Sequence, residues 1–447
     1  MNEKIALISL GCPKNQVDAE AMLALLREAG FQISGEVEGS DLVIVNTCGF
    51  IEEAKREAIE TILSVAELKK EGLVGSLLVT GCLAQRYKSE VIEEIPEIDG
   101  IIGLGKNGEI AEICRELLKK NKKEGDGKIC EFPSKLELPI DGDRVLSTPA
   151  HFAYLKIAEG CSNCCSYCAI PAIRGKFRSR TIESVVLEAK NLVASGVKEI
   201  AVIAQDITRY GVDLYGEYML AKLLKELCKI DSLEWIRLLY CYPECMTDEL
   251  IDTIANEEKI CKYIDLPLQH ADAGILKKMN RTGSEKELLE LVSKLRERIP
   301  GVIIRTTLMV GFPGETEENF ETLSRFVEEA RFDRLGCFAY SPEEGTVAAK
   351  MDGQIEPEVK NHRAELIMEQ QNRIFEEKQN EKIGKTFKVI VDGFDEDNLL
   401  YIGRTYMDCL EIDSIVIIST EEELKSGEFV NVKIIATEDC DLVGEVV

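Results

Sequence analysis

Three apolar runs open the chain, and each ends at a cysteine. Lys4–Leu10 is followed by Gly11 and Cys12, Leu42–Asn46 by Thr47 and Cys48, and Ser76–Thr80 by Gly81 and Cys82. Segments of helical length separate them, from about Gln16 to Ala29, stopped by Gly30, and from about Glu52 to Lys70. Continuous apolar strands alternating with helices point to a parallel sheet covered on both faces. Parallel strands all run one way, so residues just past their carboxyl ends share one edge, where α/β proteins hold ligands. Cys12, Cys48 and Cys82 are therefore expected to meet. Each could be a buried thiol acting as a small apolar side chain. Their shared position, with a glycine beside each, favours a three-thiolate site.

A second group is local. Cys161, Cys165 and Cys168 stand in a C-x3-C-x2-C spacing, with Cys164 inside it. The loop follows the apolar run Ala153–Ala158 and precedes the basic segment Arg174–Arg180. Three thiolates can hold three irons of a four-iron cluster and leave the fourth open. A structural zinc site wants four closed ligands. Cys164 could be the fourth, but its adjacency to Cys165 would strain a single tetrahedron. A disulfide is disfavoured, because the N-terminus runs straight into a strand with no export signal. The spacing thus ranks a redox cluster above zinc, and zinc above a disulfide.

Composition narrows the partners. A chain of 447 residues has room for two to four domains. No apolar run approaches the roughly 20 residues that span a bilayer. Sixteen cysteines without an export signal predict reduced thiols and metal in a cytoplasmic setting. The net charge of −27 disfavours nonspecific contact with phosphates and favours a basic partner. With three histidines, His151, His270 and His362, metal binding and acid–base chemistry must use other side chains.

The remaining chain divides by rhythm. Residues 1–125 form the first α/β unit, and the charged, turn-rich stretch 126–146 reads as a linker. Over 147–380 strands and helices alternate in six units, which predicts a partial (β/α)6 barrel with its active face at the strand carboxyl ends. Strands are expected at Tyr154–Ala158, Glu199–Ala204, Trp235–Tyr240, Tyr263–Leu268, Val302–Val310 and Arg334–Tyr340. The cysteine loop lies on that face with Gln205, His270 and a glycine turn holding Gly311 and Gly314. Such a turn can offer backbone N–H groups to a carboxylate or ribose. For His270 a structural hydrogen bond and a substrate contact weigh equally. So do a cluster or substrate contact and an ordinary solvated loop for Arg174, Lys176, Arg178 and Arg180. Ser284 and Glu287 have the form of a capping box. After a long charged helix, residues 383–447 contain five short strands, the pattern of a small OB-like antiparallel β-barrel. From Gly384 onward fifteen acidic side chains face five basic ones, a poor surface for RNA and a plausible one for a basic protein.

The Cys161–Cys168 spacing, with aromatic Tyr167 before the last cysteine, resembles the radical S-adenosylmethionine (radical SAM) motif. With the three N-terminal cysteines and a terminal module like a TRAM domain, the chain resembles the methylthiotransferases along essentially its whole length. Ser9–Asn15 and Asn46–Phe50 resemble the RimO type, which methylthiolates an aspartate of protein S-twelve of the small ribosomal subunit. The tRNA-modifying MiaB type usually has Gly-Cys-Gln-Met-Asn where this chain has Gly11-Cys-Pro-Lys-Asn15. The resemblance implies two [4Fe-4S] clusters and S-adenosyl-L-methionine. Cys161, Cys165 and Cys168 would hold the cluster whose open iron binds SAM. Reductive cleavage there gives a radical that takes hydrogen from the aspartate β-carbon. Cys12, Cys48 and Cys82 would hold the second cluster, which delivers sulfur, and a second SAM supplies the methyl group. Tyr167, Gln205, Gly311 and Gly314 are the expected SAM contacts, and a flavodoxin- or ferredoxin-type protein the electron donor. Cys164 is not part of the family's motif. The alternatives are a tRNA adenosine methylthiotransferase and a non-catalytic, metal-bearing scaffold that binds ribosomes.

Overall fold

A computed structural model describes residues 3–121, 127–133 and 142–447. The first unit is a parallel sheet of β1 (Lys4–Ser9), β2 (Gln32–Ser34), β3 (Ser40–Thr47), β4 (Val74–Gly81), β5 (Gly100–Ile102) and β6 (Ile129–Glu131). Their order is β2-β1-β3-β4-β5-β6. The three longest strands are adjacent at its centre, with Ser9 beside Asn46 and Thr47 beside Gly81. Helices cover both faces: α1 (Pro13–Glu28) lies on one, and α2 (Glu52–Lys70) and α3 (Cys82–Tyr87) lie on the other. The first helix starts three residues before the expected Gln16, because Pro13 at its first position is pre-set for helical φ and lacks only an N–H no helix start uses.

β6 corrects the reading of 126–146 as a linker. Ile129–Glu131 pairs with β5 and adds a sixth strand. Further on, Val145 donates to the Glu20 carbonyl, and Ser147 donates twice to the Glu20 carboxylate. Residues 134–141 of that stretch lie outside the described residues. Three-residue strands such as β2, β5 and β6 carry too little periodicity to be read from sequence.

The second unit holds β7 (Phe152–Lys156), the short pair β8 (Ala158–Glu159) and β9 (Arg178–Ser179), then β10 (Glu199–Ile203), β11 (Trp235–Leu238), β12 (Ile260–Asp265), β13 (Ile303–Val310) and β14 (Arg334–Ala339). The large parallel sheet runs β14-β13-β12-β11-β10-β7, an open partial barrel. The first expected strand is split. Ile157 leaves the sheet, and Ala158–Glu159 pairs with β9, which fixes the entry to the cysteine loop. Tyr263–Leu268 shifts to Ile260–Asp265, since Leu266 and Leu268 are buried past the strand end rather than in it. Ser284 caps its helix by accepting from the Glu287 N–H. A reciprocal capping box is present at Thr316 and Asn319.

The third unit is a closed barrel of β15 (Thr386–Asp395), β16 (Leu400–Thr405), β17 (Val416–Ser419), β18 (Phe429–Glu438) and β19 (Asp441–Val446), ordered β15-β16-β17-β19-β18. It seals the amino end of the partial barrel. Met407, Cys409 and Leu410 share a core with Phe152, Tyr154, Trp235 and Tyr263. Charge is matched there as well. Arg404 reaches Glu199 at 2.8 Å and Asp392 at 2.7 Å, and fully buried Arg237 meets Glu199 at 2.8 Å. Arg334 pairs with Asp408. Several acids of this module thus balance buried arginines, and only the remainder colours its surface.

Candidate active site

The fold brings Cys12, Cys48 and Cys82 to one edge. Each follows the carboxyl end of a central strand, and Cys12 caps α1. Gly11 shows how closely they pack. At φ +92°, a Cβ there would lie 2.6 Å from the Cys48 Cβ and 2.9 Å from its Sγ. Asn15 fixes the two turns together. Its Nδ2 donates to the Leu10 carbonyl at 2.8 Å and to those of Asn46 and Thr47 at 3.3 Å, while Asn46 Nδ2 returns a bond to the Asn15 carbonyl.

The second triad lies on the loop between Glu159 and the short helix Ile170–Arg174, on the carboxyl face of the partial barrel. Cys165 Sγ is 3.3 Å from the Tyr242 hydroxyl, whose ring lies 4.1 Å beneath the Arg281 guanidinium. Burial holds the Cys161 thiol up at about 11 and Cys168 at about 12. Cys164 is exposed, and its thiol points to the Ser162 carbonyl. It stands apart from the others, which leaves a C-x3-C-x2-C donor set.

Arg174 ties the sheet-edge triad to the entry of the cysteine loop. Its Nε donates to Cys82 Sγ at 3.3 Å. One terminal nitrogen forks onto Glu159 at 2.9 and 3.0 Å, and the other reaches Asp18 at 3.1 Å. Lys156 closes the network on Asp18 and Glu159. Burial works against the ionised Glu159 carboxyl, but Arg174 and Lys156 overcome it and hold the group well below the usual carboxylate range. The basic segment is therefore not a solvated loop. Arg174 and Arg180 are buried, the latter on Glu188, while Lys176 is exposed. Around the same interface Glu343 takes Lys55 at 3.2 Å and Arg86 at 3.0 Å, clamping the first unit to the loop after β14.

The thiols of the first triad differ. Burial raises Cys12, but Lys14, Arg174 and two helix-start N–H groups outweigh it, and the net shift is downward. Burial raises Cys48, and Cys82 is raised to about 12 despite Arg174. An iron cluster ligates thiolates. Three sulfurs converging on one edge, with a guanidinium and an ammonium beside them, are a donor set that suits an anionic cluster. Among the described residues no three His, Cys, Asp or Glu side chains converge closely enough for a single ion. A single zinc needs sulfurs about 2.3 Å from one point, whereas a cluster interposes several metal atoms and spreads them.

The expected SAM contacts fare unequally. Tyr167 packs against the apolar cluster that holds Phe312 and Tyr340. Gln205 follows β10 and donates to Glu159 at 3.4 Å, and its buried carbonyl oxygen has no partner among the described residues. The glycine turn corrects the sequence reading. The Gly311 N–H is taken by Glu315 at 2.9 Å and the Gly314 N–H by the Gly353 carbonyl at 2.8 Å, so neither is offered to a ligand. His270 is fully buried. Its Nδ1 accepts from the Asp272 N–H at 2.9 Å and its Nε2 faces Glu315 at 3.4 Å, which makes it structural. Sequence reasoning passed over Lys14, Asp18, Glu159, Tyr240 and Tyr242. Their one legible signal is position, beside a cysteine or just past a strand.

Comparison with known proteins agrees with this architecture. Residues 4–103 match the uncharacterized protein family UPF0004, 155–327 the radical SAM superfamily and 383–447 the TRAM domain. A ribosomal protein uS12 methylthiotransferase RimO from Clostridioides difficile (strain 630) is 51% identical over 99% of this chain and 98% of its own length. One of the same name from Geobacter sulfurreducens is 50% identical over 100% of this chain and 99% of its own. Among solved structures, the radical S-adenosylmethionine methyltransferase TsrM from Kitasatospora setae superposes with a TM-score of 0.52 at 16% identity, over 76% of this chain and 77% of that one. That likeness shows the fold alone. Full-length identity of this order means that the chain belongs to the family of the ribosomal protein uS12 methylthiotransferase RimO.

Proposed function

We propose that the protein is a radical SAM enzyme that methylthiolates the β-carbon of an aspartate on ribosomal protein uS12. The observation that carries this reading is Arg174, which bonds Cys82 of the sheet-edge triad and Glu159 at the entry to the loop that bears the other triad, so that one guanidinium joins the two triad-bearing units. Cys161, Cys165 and Cys168 would hold one [4Fe-4S] cluster, at which SAM would bind, and Cys12, Cys48 and Cys82 would hold the other. When bound, these groups supply reductive cleavage of SAM, hydrogen abstraction and the inserted sulfur. The chain's own residues do the positioning. Arg174 and the Glu343 clamp fix the spacing of the units, and the terminal barrel closes the far end of the partial barrel to water. Reducing equivalents come from a flavodoxin- or ferredoxin-type donor.

The substrate is a protein rather than tRNA. The terminal barrel carries net charge −10, opposite in sign to what a phosphate backbone requires. No helix among the described residues is long and apolar enough to cross a membrane. The test offers purified uS12 and tRNA to the anaerobically reconstituted enzyme with SAM, sulfide and reductant, and follows the methylthio mass gain. A gain on uS12 alone is expected. A gain on tRNA adenosine alone, or the absence of SAM cleavage, overturns the reading.

A further inference from the structure

Lys14 is the second cation beside the sheet-edge triad, and unlike Arg174 it makes no hydrogen bond to a sulfur or a carboxylate among the described residues. It sits two residues past Cys12, in the first turn of α1, and is 6% exposed. Its ammonium lies 3.0 Å from the centre of the Tyr240 ring. Tyr240 follows β11 on the same face of the partial barrel as the Cys161–Cys168 loop, and it holds φ +64°. No hydrogen bond or carboxylate reaches Lys14 Nζ among the described residues. The Cys12 sulfur, two residues away, is the partner whose field it feels most, and the carboxylates it feels are engaged elsewhere. Asp265 receives Arg305 at 2.8 Å and the Tyr240 N–H at 2.9 Å. Glu159 is taken by Arg174 and Lys156. Nor does Lys14 bond the thiols, since the contact to Cys82 belongs to Arg174.

A buried ammonium with no hydrogen-bonded anion is costly, and neither the field of the Cys12 sulfur nor an aromatic face restores the hydrogen bonds of its lost hydration. Such a group persists where an incoming anion completes it. We infer that Lys14 receives the carboxylate of the substrate's reacting aspartate side chain and sets the preference for an acidic residue. This rests on the proposed activity and deepens it. The carboxylate is attached directly to the carbon that reacts. A single ion pair between it and Lys14 therefore orients that carbon between the two triads. Asparagine would present an amide, which cannot neutralise the ammonium. The Tyr240 ring holds the ammonium in place, and Arg174 attends to the Cys82 sulfur.

The test compares uS12 with uS12 whose target aspartate is replaced by asparagine, on wild-type enzyme and on Lys14→Met and Lys14→Arg, each reconstituted and checked for iron content. Wild type is expected to show a KM at least about 30-fold higher for the asparagine form, the ratio that ~2 kcal/mol corresponds to. Lys14→Met is expected to lose that preference to within about threefold, mainly through KM for the aspartate form, and Lys14→Arg to retain most of it. A wild-type enzyme that accepts both forms equally overturns the inference without any variant. So does a Lys14→Met enzyme with full iron that still prefers aspartate. If Lys14→Met fails to hold iron, the Lys14→Arg and wild-type ratios still decide. Absence of any methylthio product from wild type would instead sink the activity itself.

Discussion

The two cysteine triads use the same ligand chemistry but are built in opposite ways. Cys161, Cys165 and Cys168 lie within eight residues on one loop, so their proximity is a property of the chain. Cys12, Cys48 and Cys82 span seventy-one residues and come together because β1, β3 and β4 are adjacent and parallel. The local triad is anchored by a short strand pair and Tyr242. The assembled triad depends on the turns at its sheet edge, held by Asn15, Asn46 and the close approach of Gly11 to Cys48. A loop triad should therefore tolerate damage to the first unit, whereas the sheet-edge triad should be sensitive to it.

The sharpest way to break this comparison is to remove each triad in turn. A Cys12→Ala, Cys48→Ala, Cys82→Ala variant is expected to hold about half the wild-type iron and sulfide and to make no methylthio product. A Cys161→Ala, Cys165→Ala, Cys168→Ala variant is expected to abolish SAM cleavage. Full iron content in the first variant would dissolve the second site. Next in size is Arg174→Leu, which takes from Glu159 and Asp18 one of their two counter-charges and leaves both to Lys156. Loss of one partner from a buried network costs about 3–5 kcal/mol, read as a fall in thermal and urea unfolding midpoints. A loss under about 1 kcal/mol would show that the units are not coupled through it.

The same network has a pH signature. The folded-state pKa of Glu159 lies below its unfolded value, so its contribution is present above the ordinary carboxylate pKa of about 4.3 and fades as pH falls below that. Urea unfolding between pH 6 and about 3 should steepen in wild type and flatten in Glu159→Gln. Smaller still, Asn15→Ala should cost about 1–3 kcal/mol and lower iron at the sheet-edge triad more than at the loop triad. Equal loss at both would erase the distinction. Cys164→Ser, at an exposed thiol outside both triads, should stay within about 0.5 kcal/mol of wild type with full iron content.

How much was legible follows the same division. The strand–helix alternation, the partial barrel and the terminal barrel could be read from periodicity. The edge gathering Cys12, Cys48 and Cys82 could be reasoned from parallel topology. The glycine turn was misread, because whether Gly311 and Gly314 offer their N–H groups depends on Glu315 folding back and on Gly353 arriving from residues 39 positions later. The charge of the terminal module was also read too simply, since Asp392 and Asp408 are spent on buried Arg404 and Arg334.

The sequence by itself determined the longer elements, the ligand types and the direction in which β1, β3 and β4 deliver their cysteines, because hydrophobic period and chain direction are local properties. Only the tertiary structure decided which charge meets which. Arg174 and Lys14 look alike in the sequence, each a basic residue near a cysteine. One is satisfied by Glu159, Asp18 and Cys82 from distant segments, and the other, beside Cys12, faces Tyr240 with no hydrogen-bonded anion among the described residues. In a buried setting of low dielectric, the partner rather than the residue type fixes what a charge can do.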